Sequence, residues 1–531
     1  MRYFNTTGLC VPNMHYMVDI GKDLPSGPSK ITQIRAMIDK AQYFTINRGR
    51  QYGKTTTLSQ LRRRLGDEYI IAQISFEGIG GSAFESEKAF TKAFMQLVQN
   101  GLKELDNFND SAYIRRWNAR CVNSILALSE HISRMCKKHK IVLMIDEVDS
   151  STNYRVYIHF LGMLRDKYLK RNDGMDYTFH SVILAGVYDI KNIKLKMKMT
   201  GVYTPSPEEG GIYNSPWNIA VNFGVDMSFS APEIATMLDE YEADNHTGMD
   251  IKAVSEELRN WTGGYPFLVS RLCQIIDTDL NKDWTIAGVE NAAKKILQEK
   301  NTLFDDIIKN MEMYSDIYQL TYDILIVGKT KKDYIDNPVA DRGLMFCFFR
   351  TESNNLVIAN RIFENRLINY FNSKDDFNAI GTKEVTGILK YDVVQDGKFD
   401  MELAIRKFAQ HYSQIFTERD TDFLERNGRM VFLSYLLPLI NGEGFYHLES
   451  QFTDLRRMDI VVDYGNDQFI IELKLWRGEA YEEQGYKQLT DYLHDKQIDT
   501  GWLVCFDLRK DKQTRMGWLE KNGCKIFEAV V

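Results

Sequence analysis

Residues Arg48-Gly49-Arg50-Gln51-Tyr52-Gly53-Lys54-Thr55 approximate the spacing G-x-x-x-x-G-K-[ST], in which each residue type has a chemical duty. Gly53 lets backbone amides close on phosphate oxygens, and Lys54 reaches the β- and γ-phosphates. The Thr55 hydroxyl is suited to ligate Mg²⁺, and the helix that starts here adds its dipole. Gly49, Arg50 and Thr56 complete the expected nucleotide-binding set, while Arg48 stands where the pattern has its first glycine. A Gly-Lys-Thr triplet alone arises by chance; a strand before it and a helix after it make a phosphate-binding loop the better account. Further on, Lys140–Glu147 is an apolar strand ending in two carboxylates. Asp146 is placed to hold Mg²⁺, directly or through water, and Glu147 to polarise an attacking water. A strand ending in solvated acids is common, so the specificity lies in the two motifs together.

A second constellation lies near the C-terminus. Asp459–Tyr464 and Asp467–Lys474 alternate in polarity and are separated by Gly465-Asn466, a two-residue hairpin signal with glycine at the first central place of a type II′ turn. Counting back from Tyr464 opposite Asp467 sets Asp459 opposite Glu472, with Cβ atoms about 5 Å apart. Lys474 projects from the same face, whereas Ile460, Val462, Ile471, Leu473 and Leu475 point the other way into a core. Two carboxylates that close repel unless a cation separates them, so a divalent metal is a natural occupant, with Lys474 activating water or neutralising a phosphate. The hairpin alone fits equally a solvent-facing ion cluster with Lys474 as counter-charge.

The elements that must position these groups can be read from periodicity. The run Tyr43–Asn47 predicts a strand, followed by a helix with Leu58, Leu61 and Leu65 on one face and Gly66 at its end. Strands are expected at Tyr69–Ile74, Ile141–Ile145 and Ser181–Ala185, with helices over about 85–107, 112–138 and 155–170. Such alternation implies a parallel sheet covered on both faces. Ser230-Ala231-Pro232-Glu233 reads as a capping box opening a helical region to about 300, broken by the turn Thr262–Pro266. Residues 300–372 mix short helices with a strand pair, Leu344–Arg350 and Leu356–Ala359, a pattern that suits a winged-helix-like module. A polar linker near Ser373–Asn378 precedes the last domain.

Composition narrows the classes. With 531 residues, 44% of them hydrophobic, the chain suits three or four globular units. The net charge of −7 argues against a protein coated in basic charge, without excluding a local basic groove. Seven scattered cysteines show no CxxC spacing, which argues against a disulfide framework or structural zinc. The apolar runs are too short to cross a bilayer and no export signal opens the chain, so a cytoplasmic protein without a membrane partner is expected. No histidine pair with ligand spacing and no GxSxG elbow occurs; His139, in Lys137-Lys138-His139-Lys140, reads as a solvated helix end.

Residues 1–225 resemble the AAA-ATPase-like domain of bacterial proteins that fuse it to a PD-(D/E)XK nuclease. The resemblance rests on Arg50–Thr55, Ile145-Asp146-Glu147, Leu184-Ala185-Gly186-Val187 and Ser215–Ala220, and Trp261–Phe267 is similar to that family's lid turn. Asp459 with Glu472-x-Lys474 resembles the nuclease signature, with Met458 in place of its proline. Gln488 and Tyr492, four apart on one helix face, are similar to a QxxxY element of one branch. The resemblance implies an acid on a preceding helix, for which Glu425 is the choice and Asp422 the rival. It leaves the arginine finger unassigned, with Arg165 a candidate. Arg456, Arg457, Arg477 and the Arg509–Lys512 run could contact phosphates.

The expected architecture is α/β: a P-loop NTPase parallel sheet (1–229) with a helical lid (230–299) and a winged-helix-like module (300–375), plus a C-terminal α/β restriction-endonuclease-like domain (385–531). The implied function is ATP binding and hydrolysis coupled to Mg²⁺-dependent cutting of DNA, with Mn²⁺ an alternative ion at the nuclease-like site. Turnover would gate access, assemble homo-oligomers or remodel the substrate, in defence or genome maintenance. The rival is a signalling or scaffold ATPase switch whose C-terminal domain binds without cutting.

Overall fold

The computed structural model describes residues 2–105, 108, 110–118, 122–151, 155–187, 217–325, 336–352, 354–373, 393–395, 397–415, 431–433, 435–436, 439–440, 444–449, 459–465, 467–475, 479–496, 498–507 and 515–531. They form two compact units, one of residues 1–292 with 345–347, the other of residues 293–344 with 348–531.

The first unit opens with two short parallel strands, β1 (Tyr3–Phe4) and β2 (His15–Tyr16). Its main sheet holds β3 (Tyr43–Asn47), β4 (Ile70–Ser75), β5 (Ile141–Asp146) and β6 (Ser181–Gly186), all parallel, in the order β3-β6-β5-β4. A single parallel bridge from Phe44 to Val221 lies along β3. Every residue of β5 and β6 is buried, which is why both read as unbroken apolar runs. Helices α1 (Lys30–Asp39), α2 (Lys54–Leu65), α3 (Glu87–Lys103), α4 (Ser111–Arg116), α5 (Ile125–Cys136) and α6 (Arg155–Asn172) alternate with the strands. Leu58, Leu61 and Leu65 of α2 are buried, as their spacing predicts. Gly66 follows α2 with an ordinary helical φ of −62°, so it needs no left-handed backbone.

Two helical stretches are shorter than periodicity suggests, and the expected run 85–107 narrows to Glu87–Lys103. The expected run 112–138 breaks into α4 and α5, because Ser124 caps α5 by accepting from the Ala127 amide. His139 is not a solvated helix end; its ring stands edge-on to Tyr113 at 4.7 Å and to Phe108 at 5.6 Å, with Nε2 buried.

Beyond the sheet come helices Ala231–Asn245, Ile251–Thr262, Pro266–Asp279 and Ile286–Gln298. The capping box at Ser230 and Glu233 is present in both directions. In the second unit helices Thr302–Met313, Ser315–Leu325 and Pro338–Met345 precede an antiparallel pair, β7 (Phe349–Glu352) and β8 (Asn355–Ile358), and helix Arg361–Ser373. The first strand starts five residues later than expected, since helix continues through Leu344 to Met345.

Two-residue strands β9 (Val394–Gln395) and β10 (Lys398–Phe399) then pair, ahead of helix Met401–Ile415. A six-stranded mixed sheet follows: β11 (Gly444–Glu449), β12 (Asp459–Tyr464), β13 (Asp467–Leu475), β14 (Thr500–Phe506), β15 (Arg515–Lys521) and β16 (Cys524–Val530), ordered β11-β12-β13-β14-β16-β15. Helix Glu479–Lys496 connects the parallel neighbours β13 and β14. It covers one sheet face, packing Tyr486, Leu489, Tyr492 and Leu493 against Val461, Ile470, Leu503 and Ile526. Phe408 of helix Met401–Ile415 meets Phe506, and Arg406 lies over Phe527, on the opposite face. The described cysteines 136, 273, 347, 505 and 524 are buried, and no helix among the described residues is long and apolar enough to cross a membrane.

Gly101 lets α3 press onto β4: a Cβ there would lie 2.7 Å from the Gln73 carbonyl oxygen. Gly101→Ala is expected to destabilise the protein by about 1–3 kcal/mol through overpacking, read as a lower urea midpoint with an unchanged m-value.

Candidate functional site

Parallel strands bring their carboxyl ends to one edge of a sheet, and the loops leaving β3 and β5 meet there. The loop after β3 turns through Gln51 and Gly53, with φ of 55° and 75°, and enters α2 at Lys54. Gly53 adopts the left-handed conformation without strain, whereas Gln51 adopts it at a cost of about 1 kcal/mol. Arg48 has no positive φ, so its place does not demand glycine. Its guanidinium donates to the carbonyls of Asn47 at 2.8 Å and Val225 at 3.2 Å, and lies over the Phe223 ring.

Lys54 is buried and donates to the carbonyls of Arg48 and Gly49, both at 2.9 Å, which holds its stem along the loop. Burial lowers its pKa, opposed by Glu147, Asp149 and Asp146. The Thr55 hydroxyl donates to Asp146 Oδ2 at 2.6 Å, joining the start of α2 to the tip of β5. Asp146 is 4% exposed, and its Oδ1 accepts from the Glu147 amide at 3.0 Å. Glu147 sits in the left-handed region at φ 51°. Burial raises its carboxyl pKa and Lys54 opposes the rise, while Asp146, Asp149 and Glu77 add to it. Thr56 faces elsewhere, its hydroxyl accepting from the Cys10 amide at 3.3 Å.

The hydroxyl and carboxylate pair of Thr55 and Asp146 is a hard-oxygen donor set that fits Mg²⁺, and the buried ammonium beside the helix start fits a phosphate chain. A turn from the helical region closes over the loop. Tyr265 donates from its hydroxyl to the Arg50 carbonyl at 2.5 Å and sets its ring edge-on to Tyr52. Gly264, at φ 72°, leaves no room for a side chain beside the Phe229 carbonyl. Arg165 lies on α6 with its Nε buried.

In the second unit Asp459 pairs with Glu472 and Tyr464 with Asp467, the register counted from the turn, and Gly465 has φ 60°. The face bearing Glu472 is covered rather than solvated: Glu472 is 0% exposed, under helix Glu479–Lys496. Lys474 Nζ lies 2.6 Å from Glu472 Oε1, with the Lys474 side chain 17% exposed and its stem beside Gly485. The other face buries Ile460, Val462, Ile471 and Leu473, as alternation predicts. Tyr492 is 3% exposed and packed in the core beneath its helix; Gln488 lies on that helix, its side chain outside the described residues. The side chain of Asp459 also lies outside them, as do Leu475's and the whole of Glu425, Asp422, Arg456, Arg457, Met458, Arg477 and 509–512. Among the described residues no group of three His, Cys, Asp or Glu side chains is placed to hold a metal ion.

Several participants escape a linear reading. The cross-strand row through Asp459 and Glu472 runs on to Glu449 on one side and to Leu503 and Glu528 on the other. Glu528 is 4% exposed and accepts from the Tyr486 hydroxyl at 2.6 Å and from Arg515 Nε at 2.8 Å. An acid inside the apolar run Ile526–Val531 was its sequence signal. Asp149 follows Glu147 by two residues and bonds the Val187 amide, and Tyr265, within the stretch similar to a lid turn, reaches the Arg50 carbonyl by tertiary contact.

No family model matches the sequence, and no curated protein matches it. Among solved structures the chain is similar to the Walker-type ATPase PABY2304 of Pyrococcus abyssi, at 13% identity and a TM-score of 0.42, covering 64% of this chain and 94% of that one. It is also similar to the ORC2 protein of Aeropyrum pernix (11% identity, TM-score 0.33, covering 67% and 97%). A third likeness is to Cdc6p of Pyrobaculum aerophilum (11% identity, TM-score 0.30, covering 65% and 93%).

Arg48→Ala removes hydrogen bonds outside the phosphate cradle. It is expected to cost about 0.5–1.5 kcal/mol of stability, while affinity for a fluorescent ATP analogue stays within about threefold of wild type.

Proposed function

We propose that this protein binds and hydrolyses ATP, and that residues 385–531 are a nuclease-like domain acting on DNA. The observation that carries the first part is the 2.6 Å bond between Thr55 and Asp146 beside the buried Lys54. In this reading Lys54 neutralises the β- and γ-phosphate oxygens, and the amides at the start of α2 cradle them. Thr55 and Asp146 would hold Mg²⁺, which when bound would offset the charge of the phosphate oxygens. Glu147, its carboxyl pKa raised by burial, orients a water and accepts its proton. The water oxygen bonds to the γ-phosphorus as the bridging bond to the β-phosphate breaks, giving ADP and phosphate. Tyr265, bonded to the loop at Arg50, would respond when the loop fills.

For the C-terminal domain the support is the register that opposes Asp459 to Glu472, with Lys474 beside Glu472. Carboxylates at two positions opposed in register would repel if both were charged, and a divalent ion, Mg²⁺ or Mn²⁺, would relieve that while activating water for attack on a phosphodiester. Glu425, Gln488 and Tyr492 are the further residues assigned to this site. The ion pair between Glu472 and Lys474 favours a second reading, in which the domain binds a partner without cutting and the ATPase works as a switch.

ATPase turnover and cleavage of supercoiled and linear DNA, with Mg²⁺ or Mn²⁺ and with or without ATP, separate these readings. Lys54→Ala is expected to lower ATP turnover at least about a hundredfold, and Asp459→Ala to abolish cutting while turnover persists. Turnover without metal-dependent cutting of DNA, then RNA, would support the switch. Equal turnover in wild type and Lys54→Ala would end the hydrolytic reading.

A further inference from the structure

The end of β6 joins the two loops that carry the nucleotide chemistry. Arg48, where the phosphate loop begins, donates its amide to the Gly186 carbonyl at 3.2 Å. One residue on, the Val187 amide donates to Asp149 Oδ2 at 2.5 Å. Between these bonds the backbone of Gly186 lies flush against the turn after β5. A Cβ at 186 would stand 2.9 Å from Val148 Cγ2, closer than real Cβ atoms come, and 3.0 Å from both Asp149 carboxylate oxygens, tighter than most real contacts. That turn contains Glu147 at φ 51°, a conformation that costs a non-glycine residue about 1 kcal/mol and persists where its surroundings fix it. Asp146 holds the turn from the strand side through the Glu147 amide. Asp149 holds it from the far side.

We propose that Asp149 is a positioning residue for ATP hydrolysis: its carboxylate clasps the Val187 amide across Gly186 and fixes the Glu147 turn to the strand end that anchors the phosphate loop. The proposal rests on the hydrolytic reading above. Asp149 acts through Glu147 and through the backbone, and its contribution is registration: a base displaced by about 1 Å loses on the order of a hundredfold in rate. A residue that only stabilised the fold would lower the unfolding midpoint and leave the per-site rate of the folded protein unchanged.

The test compares full-length wild type, Asp149→Ala, Asp149→Asn and Gly186→Ala in kcat, KM for ATP, nucleotide Kd and urea midpoint, with Lys54→Ala as the inactive reference. Asparagine keeps an oxygen that can accept from Val187, whereas alanine does not. Asp149→Ala is expected to lose at least about tenfold in kcat, with KM and nucleotide Kd within about threefold of wild type. Asp149→Asn should recover to within about threefold of the wild-type kcat, and Gly186→Ala should resemble Asp149→Ala by pushing the carboxylate off the amide. Wild-type kcat in Asp149→Ala overturns the proposal, as does an Asp149→Asn no better than the alanine variant. A wild type no faster than Lys54→Ala overturns hydrolysis itself, and the role of Asp149 with it.

Discussion

The insertion of β6 between β3 and β5, all three parallel, is the constraint on which the proposed nucleotide site depends. Parallel pairing puts the carboxyl ends of the strands at one edge, so the loop after β3 and the turn after β5 share a neighbour. Side-chain chemistry completes the junction. Thr55 reaches from α2 to Asp146, Arg48 bonds the end of β6, and Asp149 bonds the residue beyond it. The loop therefore takes its shape from three neighbouring strand ends as well as from its own glycines. That is why Arg48 can replace a glycine: its backbone needs no positive φ, and its side chain finds acceptors away from the cradle.

The site also gathers charge at low exposure. Asp146, Glu147 and Asp149 surround Lys54, each raising the lysine's affinity for its proton against the cost of burial. Such a cluster favours a cation and a polyanion bound together, since each ligand screens groups that the other leaves uncompensated. The turn at Gly263-Gly264 supplies the closing contact through Tyr265, and only a glycine at 264 lets that turn pass the Phe229 carbonyl.

The second sheet follows a different logic, because both of its faces are covered. Helix Glu479–Lys496 lies over the face that carries Glu472 and Glu528, and each acid answers burial with a basic partner, Lys474 and Arg515 respectively. A carboxylate at 0% exposure in a sheet is expensive without compensation. Ion pairing, a bound metal ion, or exchange between the two would each provide it. Tyr492 contributes its ring to the core beneath this helix.

The amino-acid sequence alone determined what depends on near neighbours in the chain. The strands β3, β5 and β6, the leucine face of α2, the capping box at Ser230 and the hairpin register of Asp459 with Glu472 all follow from local periodicity, caps and turn length. Local pattern also carried Lys54, Thr55 and Asp146 as a set, because their types and order are bound to one chemistry. Tertiary structure alone decided what distant segments do when brought together. The order β3-β6-β5-β4 placed Gly186 against Asp149, the helix over β13 buried a face that the hairpin alone fitted equally to solvent, and a turn two hundred residues downstream supplied Tyr265. Burial and close approach are properties of pairs of surfaces, and a single segment's periodicity records only that it has a face to bury.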